Sequence, residues 1–303
     1  MPYKPSWFRD NKIIISNAPT CGINKDGVEQ YKVDPISGKR SNSEVDDKLF
    51  EDATNLVDNQ VISGYLSECD LVEVRQSKVM VPQYHDLSSV TAFEDFVAQL
   101  DGFTSISFRE LIEKRLIQIR GGHGSPSSDQ RLGDIPYIKV SDLRASHVNI
   151  NSSNMIPLEL AIRYWGGEDS GLQAYDLISP ERASKNIGEF CVLMPGQERI
   201  VLTKEVLIMK ATLNTHFDQF FLMWSLSLAQ VKEQWRRIIL MQTNREDISD
   251  RVLEIRIPFP YNKNIADSVS LPFKEYYQEL QIARRKFLHR LDSSCYEHHI
   301  FLE

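Results

Sequence analysis

The chain has 303 residues, of which 42% are hydrophobic and 25% charged, and it carries a net charge of −7 at pH 7. This length suits one large or two ordinary domains, and the composition is that of a soluble globular protein without low-complexity tracts or a clear internal repeat. The N-terminus does not read as a signal or transit peptide, and no apolar run approaches the roughly 18 residues that a membrane helix needs. A secreted or membrane-spanning protein is therefore not expected, and we predict a cytoplasmic location.

The negative charge is concentrated in the first third of the chain. Residues 1–100 contain 10 Lys and Arg against 16 Asp and Glu, whereas the remaining 203 residues contain 25 and 26. Residues 114–144 are locally basic, with six basic residues against three acidic ones. Because local charge rather than total charge attracts phosphates, the net acidity argues against a generic nucleic-acid binder without excluding a local binding surface.

The cysteines predict neither a metal site nor a disulfide framework. The four are far apart in the sequence and none belongs to a CxxC pair; they are Cys21, Cys69, Cys191 and Cys295. Such spacing favours free thiols in a reducing compartment.

The first hundred residues are predicted to form short strands and one helix. Residues 13–16 (IIIS) and 31–33 (YKV) favour strands, and residues 49–60 carry apolar residues at helical spacing. Residues 70–81 (DLVEVRQSKVMV) are predicted to form another strand, which Pro82 ends.

The same segment lacks the motifs of two enzyme classes. An adenine methyltransferase needs a [DNS]-P-P-[YFW] loop beside the adenine amino group, and the nearest match, residues 17–20 (NAPT), has one proline and no aromatic residue. No FxGxG turn for S-adenosylmethionine occurs anywhere in the chain. Residues 73–75 (EVR) lack the lysine and the preceding aspartate strand of a nuclease motif. We therefore predict that the chain carries no catalytic residue.

A helix is predicted after residue 107. Ser105 or Ser107 is a suitable N-cap, Leu111 and Leu116 would face inward, and the helix should end near Gly121.

A polar loop and a short strand then occupy the middle of the chain. Residues 121–134 are small and polar with nothing to bury, which is typical of a loop that presents side chains to a partner. The strand is predicted to start beside Pro136 and to include Tyr137 and Val140, and Ser141-Asp142 then offers a turn. An ordinary surface loop is the alternative that these residues leave open.

Three further elements are predicted before residue 240. Residues 158–165 form a short helix that two glycines stop, and residues 188–211 form two β-rich runs joined as a hairpin through Pro195-Gly196. Residues 217–239 form one strong helix whose aromatic residues recur at spacings of three and four, which indicates a core stripe and not a cofactor site.

Residues 241–249 (MQTNREDIS) form a polar loop after this helix. Gln242 and Asn244 are residue types that pair with adenine, and Arg245 is of the type that pairs with guanine. A solvated turn is the alternative interpretation of this loop.

The last predicted helix runs from Pro272 to Asp292. Its apolar residues recur at heptad spacing and comprise Phe273, Tyr276, Leu280, Ala283 and Phe287. This spacing is typical of a short coiled-coil seam, roughly 30 Å long, and predicts self-association or docking to a partner.

Three stretches, in this order, resemble the target recognition domains of type I restriction–modification specificity subunits. Residues 133–143 (GDIPYIKVSDL) resemble the family's glycine turn, its IPYI or IPWI strand and the DL that follows. Residues 176–211 resemble its strand pair with a glycine turn, and residues 220–260 resemble its helix, polar recognition loop and proline-ended strand. The resemblance spans roughly residues 108–260. It implies an α+β fold with a mixed β-sheet, followed by a C-terminal helix of the coiled-coil type.

Residues 7–47 resemble the C-terminal tail of adenine-specific DNA methyltransferases of the same systems. The resemblance depends on the sequence CGINKDG and on the tyrosine, aspartate, glycine and Asp-Asp pair that follow it at intervals. The two resemblances imply a methyltransferase-tail-like segment and connector at residues 1–100, a DNA target recognition domain at 101–268 and an association helix at 269–303. The chain would then be half of a specificity subunit or the separated end of a longer fusion.

The resemblance implies DNA recognition in a restriction–modification or phage-defence system, by binding and not by catalysis. Double-stranded DNA would be the ligand, an adenine-specific methyltransferase subunit would bind S-adenosylmethionine, and a second copy of the chain is a further possible partner; no metal or cofactor is expected in this chain. Lys139 and Arg120 are predicted phosphate contacts and Arg245 a base reader. The predicted DNA-binding residues are Arg120, His123, Ser125, Ser127, Arg131, Lys139, Ser141, Arg144, Gln242, Asn244 and Arg245. Two alternatives stay open: a fragment of a single-chain methyltransferase or restriction enzyme, and a protein–protein regulator.

Overall fold

The structure is a computed structural model that describes residues 11–24, 26–59, 62, 64–182, 185–240, 248–298, 300 and 302. The chain divides into two compact units, unit 1 at Met1–Ser88 and unit 2 at Ser89–Glu303. Helices and mixed sheets occur together in unit 2, so the predicted α+β fold class is confirmed. Within the described ranges, no helix combines the length and the apolar character that crossing a membrane requires.

Unit 1 is built from two antiparallel strand pairs. Its elements are β1 (Lys12–Ser16), β2 (Tyr31–Val33), β3 (Arg40–Val45), α1 (Lys48–Asn59), β4 (Leu66–Asp70) and α2 (Leu71–Ser77). β1 pairs with β4, and β2 pairs with β3. The strand predicted over residues 70–81 is wrong, because β4 ends at Asp70 and a helix begins at once. Leu71 and Val74 are three residues apart, so this apolar pattern suits a helix as well as a strand, and Val74 is buried in the small core of the unit.

Unit 2 contains the remaining elements. They are α3 (Ser88–Ala98), β5 (Phe103–Ser107), α4 (Phe108–Glu113), β6 (Ile117–Gly121), β7 (Ile135–Ile138), β8 (Leu143–Arg144), β9 (His147–Val148), β10 (Met155–Ile156), α5 (Leu158–Trp165), β11 (Leu177–Pro180), β12 (Cys191–Val192), β13 (Val201–Leu202), β14 (Val206–Ala211), α6 (Gln219–Ser227), α7 (Ala229–Ile238), β15 (Arg256–Pro260) and α8 (Lys263–Asp292).

Two sheets organise unit 2. A six-stranded mixed sheet has the order β6-β14-β11-β12-β9-β8, and a three-stranded sheet has the order β10-β7-β13. The β7–β13 and β9–β12 pairs are parallel, and the other neighbours in these sheets are antiparallel. The main hydrophobic core joins the larger sheet to α6, α7, α8 and the β5–β15 pair, and Phe108 and Phe221 are fully buried in it.

Several predicted elements of unit 2 are confirmed. The strand beside Pro136 is β7, and the predicted short helix is α5, which ends at Gly166 in the left-handed conformation with φ 71°. Ser107 is the N-cap of α4 and forms a capping box with Glu110: the Glu110 amide donates to Ser107 Oγ at 3.2 Å, and the Ser107 amide donates to Glu110 Oε2 at 2.9 Å.

The predicted helix over residues 108–120 is too long. α4 ends at Glu113, Arg115 adopts φ 56°, and residues 117–121 form β6 paired with β14. Ile117 and Ile119 alternate with polar residues, which is the period of a strand, and pairing with β14 makes this segment a strand although the segment before it has helical spacing.

The predicted hairpin through Pro195-Gly196 is also wrong. β12 lies in the larger sheet between β11 and β9, whereas β13 pairs with β7 in the smaller sheet. The turn therefore connects two sheets, and the second β-rich run contains both β13 and β14. Pairing partners distant in sequence decide this arrangement, and local turn chemistry does not reveal them.

Two helix predictions need new boundaries. The helix predicted over residues 217–239 is broken at Leu228, whose ψ of 134° separates α6 from α7. The last helix begins at Lys263 instead of Pro272, because Asn262 caps it by accepting a hydrogen bond from the Ile265 amide at 3.1 Å. Pro272 then lies inside the helix.

Candidate nucleic-acid interface

Two parallel strands of the smaller sheet end side by side, and a lysine follows each end. Leu202 of β13 lies opposite Ile138 of β7, and the Thr203 amide donates to the Ile138 carbonyl oxygen at 2.9 Å. This pairing brings Lys139 and Lys204 to the same edge of the sheet. Within the described residues, neither ammonium group forms an ion pair, so both charges are available to an external anion.

A tight turn after β7 carries the next polar groups. The Lys139 amide donates to Asp142 Oδ2 at 2.8 Å, and the Asp142 amide donates to the Lys139 carbonyl oxygen at 3.0 Å. These bonds fix the turn and leave Ser141 exposed at its outer side. Leu143 is buried and Arg144 exposed, so the side chain of Arg144 faces solvent at the end of β8.

Ser125 joins this edge from the loop after β6. Its Oγ lies 3.0 Å from Thr203 Oγ1 and accepts a hydrogen bond from the Lys204 amide at 3.4 Å. Ser125, Lys139, Ser141, Arg144 and Lys204 together are called the strand-end surface below. Three of the five carry a positive charge, and the other two carry hydroxyl groups, which suits phosphate oxygens.

Ser127 and Arg131 belong to the loop that leads into β7, and they lie between Ser125 and Lys139 in the sequence. Arg131 donates from Nη2 to the Pro126 carbonyl oxygen at 3.2 Å, and its guanidinium carbon lies 5.3 Å from the centroid of the Tyr137 ring. The cation–π contact holds the charge in a fixed place while the side chain stays partly exposed. Ser127 is exposed.

Two further predicted DNA contacts, Arg120 and His123, are bonded to a part of the chain that is distant in sequence. Arg120 donates from Nη2 to the Ser170 carbonyl oxygen at 3.2 Å, and His123 Nε2 lies 2.9 Å from the same oxygen. The Leu202 amide donates to His123 Nδ1 at 3.0 Å. A phosphate contact from Arg120 remains untested, but the placement of both side chains favours a role in holding the surface together.

The predicted base-reading residues Gln242, Asn244 and Arg245 lie outside the described residues, and their predicted role remains a prediction. Lys204 was missed by sequence reasoning. Lys204 lies inside the second predicted β-rich run. The hairpin interpretation paired this run with the first one, so it did not reveal the position of Lys204 next to Lys139.

A mainly acidic cleft contains Ser170, the partner of Arg120 and His123. The cleft has a volume of about 560 Å³, and its charged lining residues are Glu168, Asp169, Glu198 and Arg199. Its carboxylates would repel phosphates, so we expect the DNA backbone to follow the strand-end surface and not this cleft.

The predicted association residues on α8 divide between two faces. Phe273 and Leu280 pack against the main core of unit 2, whereas Tyr276 and Phe287 are 54% and 43% exposed. Ala283 is exposed as well. A single seam formed by all five residues is therefore wrong for this chain. At 100° per residue, Phe273 and Leu280 share the face of the buried Tyr277, and the other three residues lie to one side of it.

The sequence matches no protein-family model and none of the curated proteins. Solved structures show similarity in fold. One is the S subunit of a type I restriction–modification system from M. genitalium, which is 13% identical over 72% of this chain with a TM-score of 0.36. Another is the HsdS subunit from Thermoanaerobacter tengcongensis, which is 12% identical over 71% of this chain with a TM-score of 0.38. The type IIG restriction endonuclease BpuSI is 10% identical over 74% of this chain and 33% of its own, with a TM-score of 0.45.

The chain spans about half the length of these S subunits, since it covers 52% of one and 49% of the other. Likenesses of this strength concern the fold and assign no activity or partner.

Proposed function

We propose that unit 2 recognises double-stranded DNA for a restriction–modification or related phage-defence system. The observation that supports this most is the strand-end surface. Lys139, Lys204 and Arg144 meet solvent without an ion pair among the described residues, and Lys139 lies in residues 133–143, whose sequence resembles the start of a target recognition domain. The chain is acidic overall, so a local group of unneutralised cations needs a functional explanation.

The mechanism that we propose is binding without chemistry. Lys139 and Lys204 contact phosphates, Arg144 and Ser141 fix the register on the duplex, and Gln242, Asn244 and Arg245 read base edges. An adenine-specific DNA methyltransferase subunit binds S-adenosylmethionine and performs methyl transfer at the site that this chain selects. Residues 1–100 supply the connection to that partner.

We also propose that α8 mediates assembly through its exposed side. Tyr276 and Phe287 lie on one side of the helix and present apolar surface to solvent. Burial of such residues against a second copy or against the methyltransferase would remove them from water.

Selection of bound sites from a random duplex library tests the proposal. The full chain should enrich one short shared sequence both with and without an added candidate methyltransferase, and by itself it should transfer no methyl group to the enriched duplex. An enriched pool without a shared sequence would contradict sequence recognition. Methyl transfer by the purified chain alone would contradict a purely binding role and favour the enzyme-fragment alternative.

A further inference from the structure

One residue of unit 2, Ser170, collects hydrogen bonds from three separate parts of the chain. Its carbonyl oxygen accepts from Arg120 at 3.2 Å and lies 2.9 Å from His123 Nε2. Its hydroxyl donates to the Glu198 carbonyl oxygen and accepts from the Leu172 amide at 3.1 Å. Ser170 is 7% exposed, so these bonds are made away from bulk water. Ser170 thus links β6, the loop after it, and the turn that leads into β13.

The His123 ring can make both of its bonds only as one neutral tautomer. Nδ1 accepts from the Leu202 amide, so it must lack a proton, and Nε2 must then carry the hydrogen that is donated to Ser170. A doubly protonated ring has no acceptor. Protonation would therefore break the bond to Leu202 and leave two donors facing each other.

The bonds around His123 hold one part of the strand-end surface in place. The His123 and Gly124 amides both donate to the Leu202 carbonyl oxygen, at 2.9 and 3.1 Å. Ser125 then reaches Thr203 and Lys204. His123 lies two residues before Ser125, and its ring partner Leu202 lies two residues before Lys204.

We propose that His123 is a positioning residue: as the neutral tautomer it fastens the loop after β6 to Ser170 and β13, and its protonation loosens the strand-end surface and weakens recognition of the selected duplex. This inference rests on the proposed function. Neutral His123 thus contacts no DNA and acts through Ser125 and Lys204.

The surroundings of the ring favour its neutral form. Burial lowers the pKa of His123 below its ordinary value of 6.5, the hydrogen bond to Ser170 opposes this shift, and the nearby charge of Arg120 adds to it. The charged groups on the adjoining elements are Arg120 on β6, Glu168 and Asp169 before Ser170, Glu198 and Arg199 in the turn that leads into β13, and Lys204 after β13. Asp169 accepts a hydrogen bond from the Gly171 amide at 2.9 Å, so its carboxylate is bonded within its own loop.

The expected pH response is opposite to that of simple electrostatics. Acidification makes an acidic protein more positive, which strengthens its attraction to any duplex. Release of the loop after β6 should instead reduce the ratio of affinities for the selected and scrambled duplexes as pH falls through the pKa of His123, which burial holds below 6.5. A loss of about tenfold in this ratio corresponds to about 1.4 kcal/mol.

The test measures duplex binding by the full chain from pH 7.5 to pH 5.0 at constant ionic strength. The wild-type ratio should fall about tenfold, whereas His123→Gln, which cannot be protonated, should show a flat profile. His289→Gln is the matched control, because His289 is an exposed histidine on α8, and it should retain the wild-type slope. Ring ¹⁵N shifts of His123 and exchange of the Leu202 amide, both measured without DNA, report the tautomer and the release directly.

A flat wild-type ratio alongside strong binding at pH 7.5 would overturn the role of His123 alone, and a protonated Nδ1 at pH 7.5 would do the same. If the ring data show the expected tautomer but no duplex binds at any pH, the proposed function fails and takes this role with it. Because the wild-type profile needs no substitution, the proposal stays testable even if His123→Gln does not fold.

Discussion

Replacement of Lys139 by alanine should change the salt dependence of DNA binding by a definite amount. Each phosphate contact to B-DNA contributes about 0.9 to the slope of log affinity against log salt. With Lys139, Lys204 and Arg144 all in contact, affinity should fall about 40-fold between 50 and 200 mM salt, and Lys139→Ala should reduce this fall to about 12-fold. Selected and scrambled duplexes should be affected alike, because phosphates carry no sequence information.

Fluorescence anisotropy with a labelled duplex at four or five salt concentrations gives both slopes. Lys263→Ala is a matched control, since it removes one positive charge at a distant exposed position, where Lys263 Nζ lies 2.7 Å from Asp267. The control should keep the wild-type slope. If Lys139→Ala also keeps the wild-type salt slope, or if both variants lower the slope equally, Lys139 is not a phosphate contact and the strand-end surface is not where DNA binds.

Four other substitutions follow from the account. Leu280→Asp should destabilise unit 2 by at least about 2 kcal/mol because Leu280 packs on the core. Phe287→Asp should leave the stability nearly unchanged and should reduce the mass measured by light scattering, because Phe287 is exposed. Identical masses for wild type and Phe287→Asp would argue against assembly through α8. Arg245→Ala should relax preference at one base position and spare scrambled duplexes, and equal losses on both duplexes would make Arg245 a backbone contact. Ser107→Ala should remove the capping box of α4 and lower the free energy of unfolding by about 1 kcal/mol, which corresponds to a melting temperature about 2–4 °C lower. An unchanged melting temperature would mean that Glu110 alone satisfies the helix end.

Elements with a single strong local signal could be predicted from the sequence. The short strand beside Pro136, the Ser107 cap and the glycine end of α5 depend on residues within four positions of each other, and all three are present. The errors concern segments whose partners are distant. Residues 117–121 form a strand because β14 pairs with them, and the Pro195-Gly196 turn joins two sheets because β7 pairs with β13.

The candidate site divides in the same way. Lys139, Ser141 and Arg144 were predicted from residue type and local charge, and they are partly or fully exposed as a DNA contact requires. Lys204 reaches the same edge only through the parallel β7–β13 pairing, which no local pattern contains. His123 has the composition of a contact residue, yet it is held by Ser170 and Leu202, which are 47 and 79 positions away. Residue type alone does not distinguish a group that binds a ligand from one that positions its neighbours.

The most direct test of the central claim compares two affinities of the full chain at 150 mM salt, one for the selected duplex and one for a scrambled duplex of the same composition. We predict that the selected duplex binds at least about 1,000-fold more tightly, which is the lower end for sequence-specific proteins. Equal affinities for the two duplexes, or no retention of either duplex at 50 mM salt, would contradict the claim that this chain recognises a DNA sequence.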